Sequence, residues 1–243
     1  MILTLDAGNT RIKWGLRHDG AWEGVGALPV AEAGTLAEAL GCSHRPERIL
    51  VANVAGAAVQ AAIERASAQF GCLPEFIQAC AQQCGVRSSY DDPAQLGADR
   101  WAALIAARRL FGGPCLAVNA GTALTVDALS DEGVFLGGII APGIELMRRA
   151  LDAYTAGLRM QPGEVRFFPA NTGDAIMSGA AHAAAGATER MASFMQANGQ
   201  SPVRVVLGGG AAPVLRPLLA TLDTVEVDHL VLEGLAAIAE EGG

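Results

Sequence analysis

The sequence predicts an α/β protein made of two related halves, and three observations carry that reading. Across 243 residues, 51% are hydrophobic and 30 are glycine, arranged as short apolar runs broken by turns. Such a composition buries a core and excludes a disordered chain. A turn flanked by two strand-like segments occurs twice, as Asp6-Ala7-Gly8-Asn9-Thr10 and as Asn119-Ala120-Gly121-Thr122, which points to duplication. Between the two lies the breaker Phe111-Gly112-Gly113-Pro114, so an N-terminal lobe over 1–113 and a C-terminal lobe over 114–243 are expected.

In the first half, Ile2 to Asp6 is an apolar strand. After the turn, Ile12, Trp14 and Leu16 alternate with Lys13, Gly15 and Arg17, the period of a half-buried strand. A third strand is expected over Trp22 to Ala27. A helix near Ala31 to Leu40, a strand at Ile49 to Asn53, a helix near Ala57 to Phe70 and a short strand at Glu75 to Gln78 follow. Gln83 to Leu96 is polar and is expected to be a loop, and a helix runs from Ala98 to Leu110. The second half repeats the opening, with strands at Leu116 to Val118, Leu124 to Leu129 and Val134 to Ile140. Helices are predicted at Ile144 to Ala153 and Thr172 to Ala197. A buried strand at Val203 to Leu207 ends in Gly208-Gly209-Gly210, and helices near Pro213 to Leu219 and Leu230 to Glu240 complete the chain.

The formal charge is −8, and without a basic run this argues against non-specific nucleic-acid binding. The N-terminus lacks the basic and apolar regions of a signal peptide, and no uninterrupted apolar stretch is long enough for a bilayer. A cytoplasmic protein with no membrane partner is expected. Cys42, Cys72, Cys80, Cys84 and Cys115 are an odd set that predicts reduced thiols. His18, His44, His182 and His229 are scattered away from the motifs and receive no role.

Three segments have the residues to hold a nucleotide. In the first turn, backbone N–H groups beside Gly8 can approach an anion, Asn9 and Thr10 add donors, and Lys13 adds charge. Asp6 at the strand end can hold magnesium, directly or through water. The Gly121-Thr122 turn repeats this equipment, and the Gly208-Gly209 turn lets backbone pack against a flat base or ribose. Taken alone, the first segment fits an ordinary hairpin equally well, the second fits one better, and the third fits a common helix-initiating loop; the three together describe a nucleotide site. Asp99, at a predicted helix start, can take a proton from a phosphoryl-accepting hydroxyl, and Arg100 beside it can pair with an anion. An acidic first turn followed by a surface arginine would fit those two residues as well.

The ordered motifs Asp6-Ala7-Gly8-Asn9-Thr10-Arg11-Ile12-Lys13, Gly97-Ala98-Asp99-Arg100 and Gly121-Thr122-Ala123-Leu124-Thr125-Val126-Asp127 resemble the type III pantothenate kinases. Gly137 to Gly143, Asn171-Thr172-Gly173-Asp174-Ala175 and the Gly208 turn continue the resemblance over nearly the whole chain. It implies a two-lobed actin-like ATPase fold with a duplicated ribonuclease H-like motif, a homodimer, and transfer of the γ-phosphoryl group of ATP to pantothenate. It also implies that Asp6 to Lys13, Gly121, Thr122, Gly208 and Gly209 hold ATP and magnesium. Asp99 falls on the catalytic base. Tyr90, Gly97, Ala98, Asp99, Arg100 and Thr172 fall on the acceptor pocket.

One departure stands out. Many members of the family use potassium or ammonium and have an aspartate where this chain has Asn119. Asn119 supplies an oxygen without net charge, so activity is expected to depend little on a monovalent cation. Two other readings stay open at this point: another small-molecule kinase of the same superfamily, such as a sugar kinase, and a non-catalytic nucleotide-binding regulator. The short chain with its Gly97-Ala98-Asp99-Arg100 segment speaks against the first, and intact Asp6, Lys13 and Asp99 speak against the second.

Overall fold

The computed structural model describes residues 1–41 and 45–241; Cys42 and His44 lie outside them. The chain forms two compact units. It leaves the first between Phe111 and Gly112, inside the predicted breaker, and returns to it between Asp228 and His229. A single division at 113 therefore gives the last helix to the wrong half. That helix has a continuous apolar stripe, which the sequence pattern alone does not assign to either sheet.

In the first unit, β1 (Ile2–Ala7), β2 (Arg11–His18) and β3 (Ala21–Pro29) form an antiparallel meander. β4 (Arg48–Asn53) and β5 (Pro74–Phe76) add in parallel, giving the order β3-β2-β1-β4-β5. Period-two alternation sorts the faces. Leu3, Leu5 and Ala7 join Ile12, Ile49 and Val51 in a core with Leu36 of α1 (Leu36–Leu40) and Val59 and Ile63 of α2 (Ala57–Ser67). Thr4 and Asp6 point to the other face. The helix expected over 31–40 is instead a 3-10 segment, Val30–Thr35, followed by the short α1, with Glu32 out of helical geometry; Gly34 weakens a continuous helix here.

The polar segment expected as a loop contains a small antiparallel pair, β6 (Gln82–Gln83) and β7 (Val86–Ser88), and a 3-10 turn at Pro93–Gln95. Asp92 Oδ1 caps that turn by accepting from Ala94 N at 3.0 Å. Then comes α3 (Ala98–Phe111), in which Arg100 to Ala107 are all buried.

The second unit repeats the plan. β8 (Cys115–Ala120), β9 (Ala123–Leu129) and β10 (Val134–Pro142) are antiparallel neighbours. α4 (Ile144–Tyr154) and α5 (Thr172–Ala197) follow, then β11 (Arg204–Gly208), α6 (Ala212–Leu215) and β12 (Asp223–Glu226). β11 pairs in parallel with β8, and β12 with β11. The strand order β12-β11-β8-β9-β10 thus mirrors β5-β4-β1-β2-β3, and the duplication read from two short turns extends to whole sheets. The sequence pattern missed β12, a four-residue edge strand that is nowhere fully buried. The final helix, α7 (Leu230–Glu241), packs along α3 so closely that a Cβ at Gly234 would lie 1.9 Å from Ala102 O. Only glycine permits that approach.

Cys115 is buried, Cys72 and Cys84 are half-buried, and Cys80 is exposed; all four are free thiols. Among the described residues no helix is long and apolar enough to cross a membrane.

Candidate active site

The first unit brings its chemistry to the carboxyl ends of the parallel strands β1 and β4, where loops leave a sheet and ligands commonly bind. Asp6 is paired across the ladder with Lys13 and beside Ala52. Gly8 N donates to Arg11 O at 3.1 Å, closing the turn between β1 and β2. Asn9, Thr10 and Arg11 are exposed on it, while Ile12 is buried and anchors the returning strand. Ala7 O accepts from Val54 N at 3.0 Å, so the turn after β4 lies beside the first turn.

Asp6 is only 8% exposed. Burial pushes its carboxyl up from 3.8 to about 6; Lys13 pulls it back down and the negative charge of Asp99 pushes it further up. Asp6, Lys13 and Asp99 therefore share one electrostatic neighbourhood, although Asp99 lies far along the chain. A buried hard oxygen beside the turn suits magnesium, which takes one or two carboxylates and completes its shell with phosphate and water. Among the described residues no cluster of three or more Asp, Glu, His or Cys side chains could hold a metal by itself.

Asp99 is in the first turn of α3 and half-buried. Its Oδ1 accepts from Arg100 N at 2.9 Å, and a Cβ on Gly97 would lie 2.7 Å from that same oxygen. Gly97 thus leaves room for the carboxylate, and its carbonyl accepts from Trp101 N at 3.0 Å. Ala98 begins the helix. Arg100 is buried, at 6% exposure, which sets it apart from a surface arginine. Tyr90 is half-buried after β7, with its N–H donating to Ser88 Oγ at 3.2 Å.

In the second unit Asn119, near the end of β8, sits between Thr125 of β9 and Gly208 of β11. Gly209 has φ +99°, and a Cβ there would lie 2.5 Å from Ala120 O and 2.7 Å from Asn119 Oδ1. The late glycine turn therefore packs backbone to backbone against the second turn, and Ala211 N donates to Ala120 O at 2.9 Å. Gly121 N donates to Ala123 O at 3.0 Å, and Thr122 stands exposed at the tip. Sequence reasoning missed Gly143 as a partner of this turn: its N–H donates to Thr122 O at 2.8 Å, and a Cβ on it would lie 2.1 Å from Gly121 O. Gly121, Thr122, Gly208 and Gly209 are thus assembled around Asn119.

Thr172 is the first residue of α5 and is exposed. It is not the helix cap that its position could suggest. Asn171 caps the helix by accepting from Asp174 N at 2.9 Å. Asp174 in turn accepts from Glu164 N at 2.8 Å and from Asn171 Nδ2 at 2.9 Å, and those bonds hold its carboxyl below the usual carboxylate range. The Thr172 hydroxyl is not needed for capping.

Two sheets of one topology, each opening with a strand–turn–strand that ends in a compact polar turn, define the mixed α/β fold of the actin-like ATPase kinases. A protein of Sinorhizobium meliloti assigned as a 2-dehydro-3-deoxygalactonokinase has this fold, with a TM-score of 0.61 at 15% identity over 99% of this chain and 99% of that one. The particular family follows from the sequence. The family model described as type III pantothenate kinase matches residues 2–193. A type III pantothenate kinase of Aromatoleum aromaticum is 52% identical over 99% of this chain and 98% of its own. One of an Azoarcus species is 50% identical over 98% and 90%. The chain belongs to the type III pantothenate kinase family, and it is an ATP-dependent phosphotransferase.

Proposed function

We propose that the chain transfers the γ-phosphoryl group of ATP to the primary hydroxyl of pantothenate, giving 4'-phosphopantothenate for coenzyme A biosynthesis, with Asp99 as the base. The observation that carries the reading is Asp6 paired with Lys13 near the end of β1, with Asp99 close enough to push the Asp6 carboxyl up, in a chain whose relatives are pantothenate kinases.

Asn9, Thr10 and the backbone from Ala7 to Ile12 offer donors to phosphate oxygens, and Lys13 adds positive charge. Gly121 and Thr122 offer donors of the same kind, and Gly208 and Gly209 offer backbone that can pack against a nucleoside. Asp6 is the residue that would hold magnesium, which neutralises charge on the phosphates when bound. Asp99 orients the acceptor hydroxyl and accepts its proton as the new P–O bond forms and the bond to the ADP oxygen breaks. Arg100 pairs with the pantothenate carboxylate, and Tyr90, Gly97, Ala98 and Thr172 shape the acceptor pocket. Asn119 brings no negative charge to the position where relatives use a monovalent cation, so turnover proceeds with little help from potassium. The protein acts as a homodimer. Tyr154, Phe167 and Phe168 of the second unit are 88%, 84% and 96% exposed, the kind of large apolar surface that a partner covers.

An ADP-release assay with pantothenate set beside a panel of sugars and acetate tests the activity. Turnover with pantothenate alone is the expected result. Turnover with a sugar and none with pantothenate would overturn it.

A further inference from the structure

The turn after β4 takes no part in the motifs described above, yet it lies against two of them. Asn53 closes β4, paired in register with Ala7, the residue after Asp6. Its side chain spans the turn. Oδ1 accepts from Ala55 N at 2.9 Å, and Nδ2 donates to Gly56 O at 3.2 Å. Gly56 has φ +89° and caps α2, its carbonyl also accepting the first helical bond, from Gln60 N at 3.1 Å. One amide thus fixes the shape of residues 53–56.

What that shape sets is the position of Val54. Its N–H donates to Ala7 O at 3.0 Å, on the phosphate side. Its Cγ1 lies 3.8 Å from where a Cβ on Gly97 would be, on the acceptor side. Val54 therefore bridges the end of β1 and the residue that makes room for the Asp99 carboxylate. The phosphate turn has its own support in the β1–β2 ladder and the Gly8–Arg11 bond. The Gly97 segment, which precedes the first turn of α3, has the Val54 side chain facing the space that its missing Cβ leaves.

We infer that Asn53 is a positioning residue for the acceptor: by closing the 53–56 turn it holds Val54 against Gly97 and so sets where Asp99 stands relative to the phosphate turn. The inference rests on the assignment of Asp99 as base. Loosening the turn displaces the acceptor side and leaves the nucleotide side in place. A misplacement of about 1 Å at a reacting group costs on the order of a hundredfold, and a partial loosening costs less.

The test is steady-state ADP release, varying pantothenate at saturating ATP and then ATP at saturating pantothenate. Asn53→Ala should lower kcat/KM for pantothenate by roughly tenfold, with KM for ATP within about twofold of the parent. Asn53→Asp, which can still accept from Ala55 N but cannot donate to Gly56 O, should recover part of the loss. Val54→Ala keeps the turn's hydrogen bonds and removes the contact, and should reproduce the same split between the two substrates. Parent-like kcat/KM for pantothenate in both alanine variants would overturn the inference. So would a rise in KM for ATP as large as the loss in kcat/KM for pantothenate, together with a lowered Tm, because that is general destabilisation. Asp99→Asn is run alongside: normal turnover there removes the assigned base, whereas an inactive Asp99→Asn beside a silent Asn53→Ala removes only the role of Asn53.

Discussion

Asp6→Asn should make the ligand-free protein more stable while abolishing its chemistry. The carboxyl of Asp6 is raised from 3.8 to about 6, chiefly by burial. Below pH 3.8 it is protonated in both the folded and unfolded chain, and it imposes no cost. As pH rises, the unfolded chain releases the proton first, so stability falls until about pH 6 and stays lower above it. The gap from 3.8 to about 6 corresponds to ~3 kcal/mol. Asparagine removes that cost, and burial of its amide takes back part, leaving a gain of about 1–3 kcal/mol. For a chain of this size each kcal/mol moves Tm by about 2–4 °C. Thermal melts of both proteins from pH 4 to pH 8 should show Asp6→Asn melting higher at pH 7.5, with its advantage shrinking towards pH 4. Magnesium and ATP should raise the Tm of the parent and leave the variant nearly unmoved. A variant less stable than the parent at pH 7.5, or a difference that does not change with pH, would refute the argument that burial strains this carboxylate.

Asp99→Asn keeps the shape of the side chain and removes the proton acceptor, so kcat should fall by about 10²–10⁴-fold while ATP binding, measured by calorimetry, persists. Gly97→Ala places a Cβ 2.7 Å from Asp99 Oδ1; the displaced carboxylate should lower kcat by roughly tenfold or more, with Tm little changed. Titrating potassium chloride against a bulky organic cation at fixed ionic strength should leave activity nearly flat, because Asn119 carries no charge; a large, saturable activation would show that other oxygens hold the ion. Light scattering at assay concentration should report a dimer, and Phe168→Glu should shift it towards monomer; a fully active monomeric parent would remove the homodimer from the proposal.

The local pattern of the sequence is sufficient for the strands, the turns and most helices. Ile12, Trp14 and Leu16 alternate, Gly8 and Gly121 interrupt apolar runs, and α5 begins and ends where its cap residue and its apolar stripe place it. These features depend on neighbours a few residues apart, and the same strand–turn–strand repeated after a breaker carries the duplication. The polar pair β6–β7 and the edge strand β12 were not legible, because strands of two to four residues present no apolar alternation; pairing with a neighbour creates them. The candidate site divides in the same way. Asp6, Lys13 and Asp99 stand out by residue type and motif, but only folding brings Asp99 near Asp6, and only burial raises the Asp6 carboxyl to about 6. Asn53 carries the local chemistry of a turn in the sequence, while the approach of Val54 to the space beside Gly97 appears only in the folded chain. Gly209 stands out in the sequence as part of a glycine turn and Gly143 only as part of a longer motif; close backbone packing around the second turn makes their missing side chains a requirement. The return of α7 to the first unit was equally invisible, since an apolar stripe fits either sheet and the approach of Gly234 to Ala102 decides which one it meets.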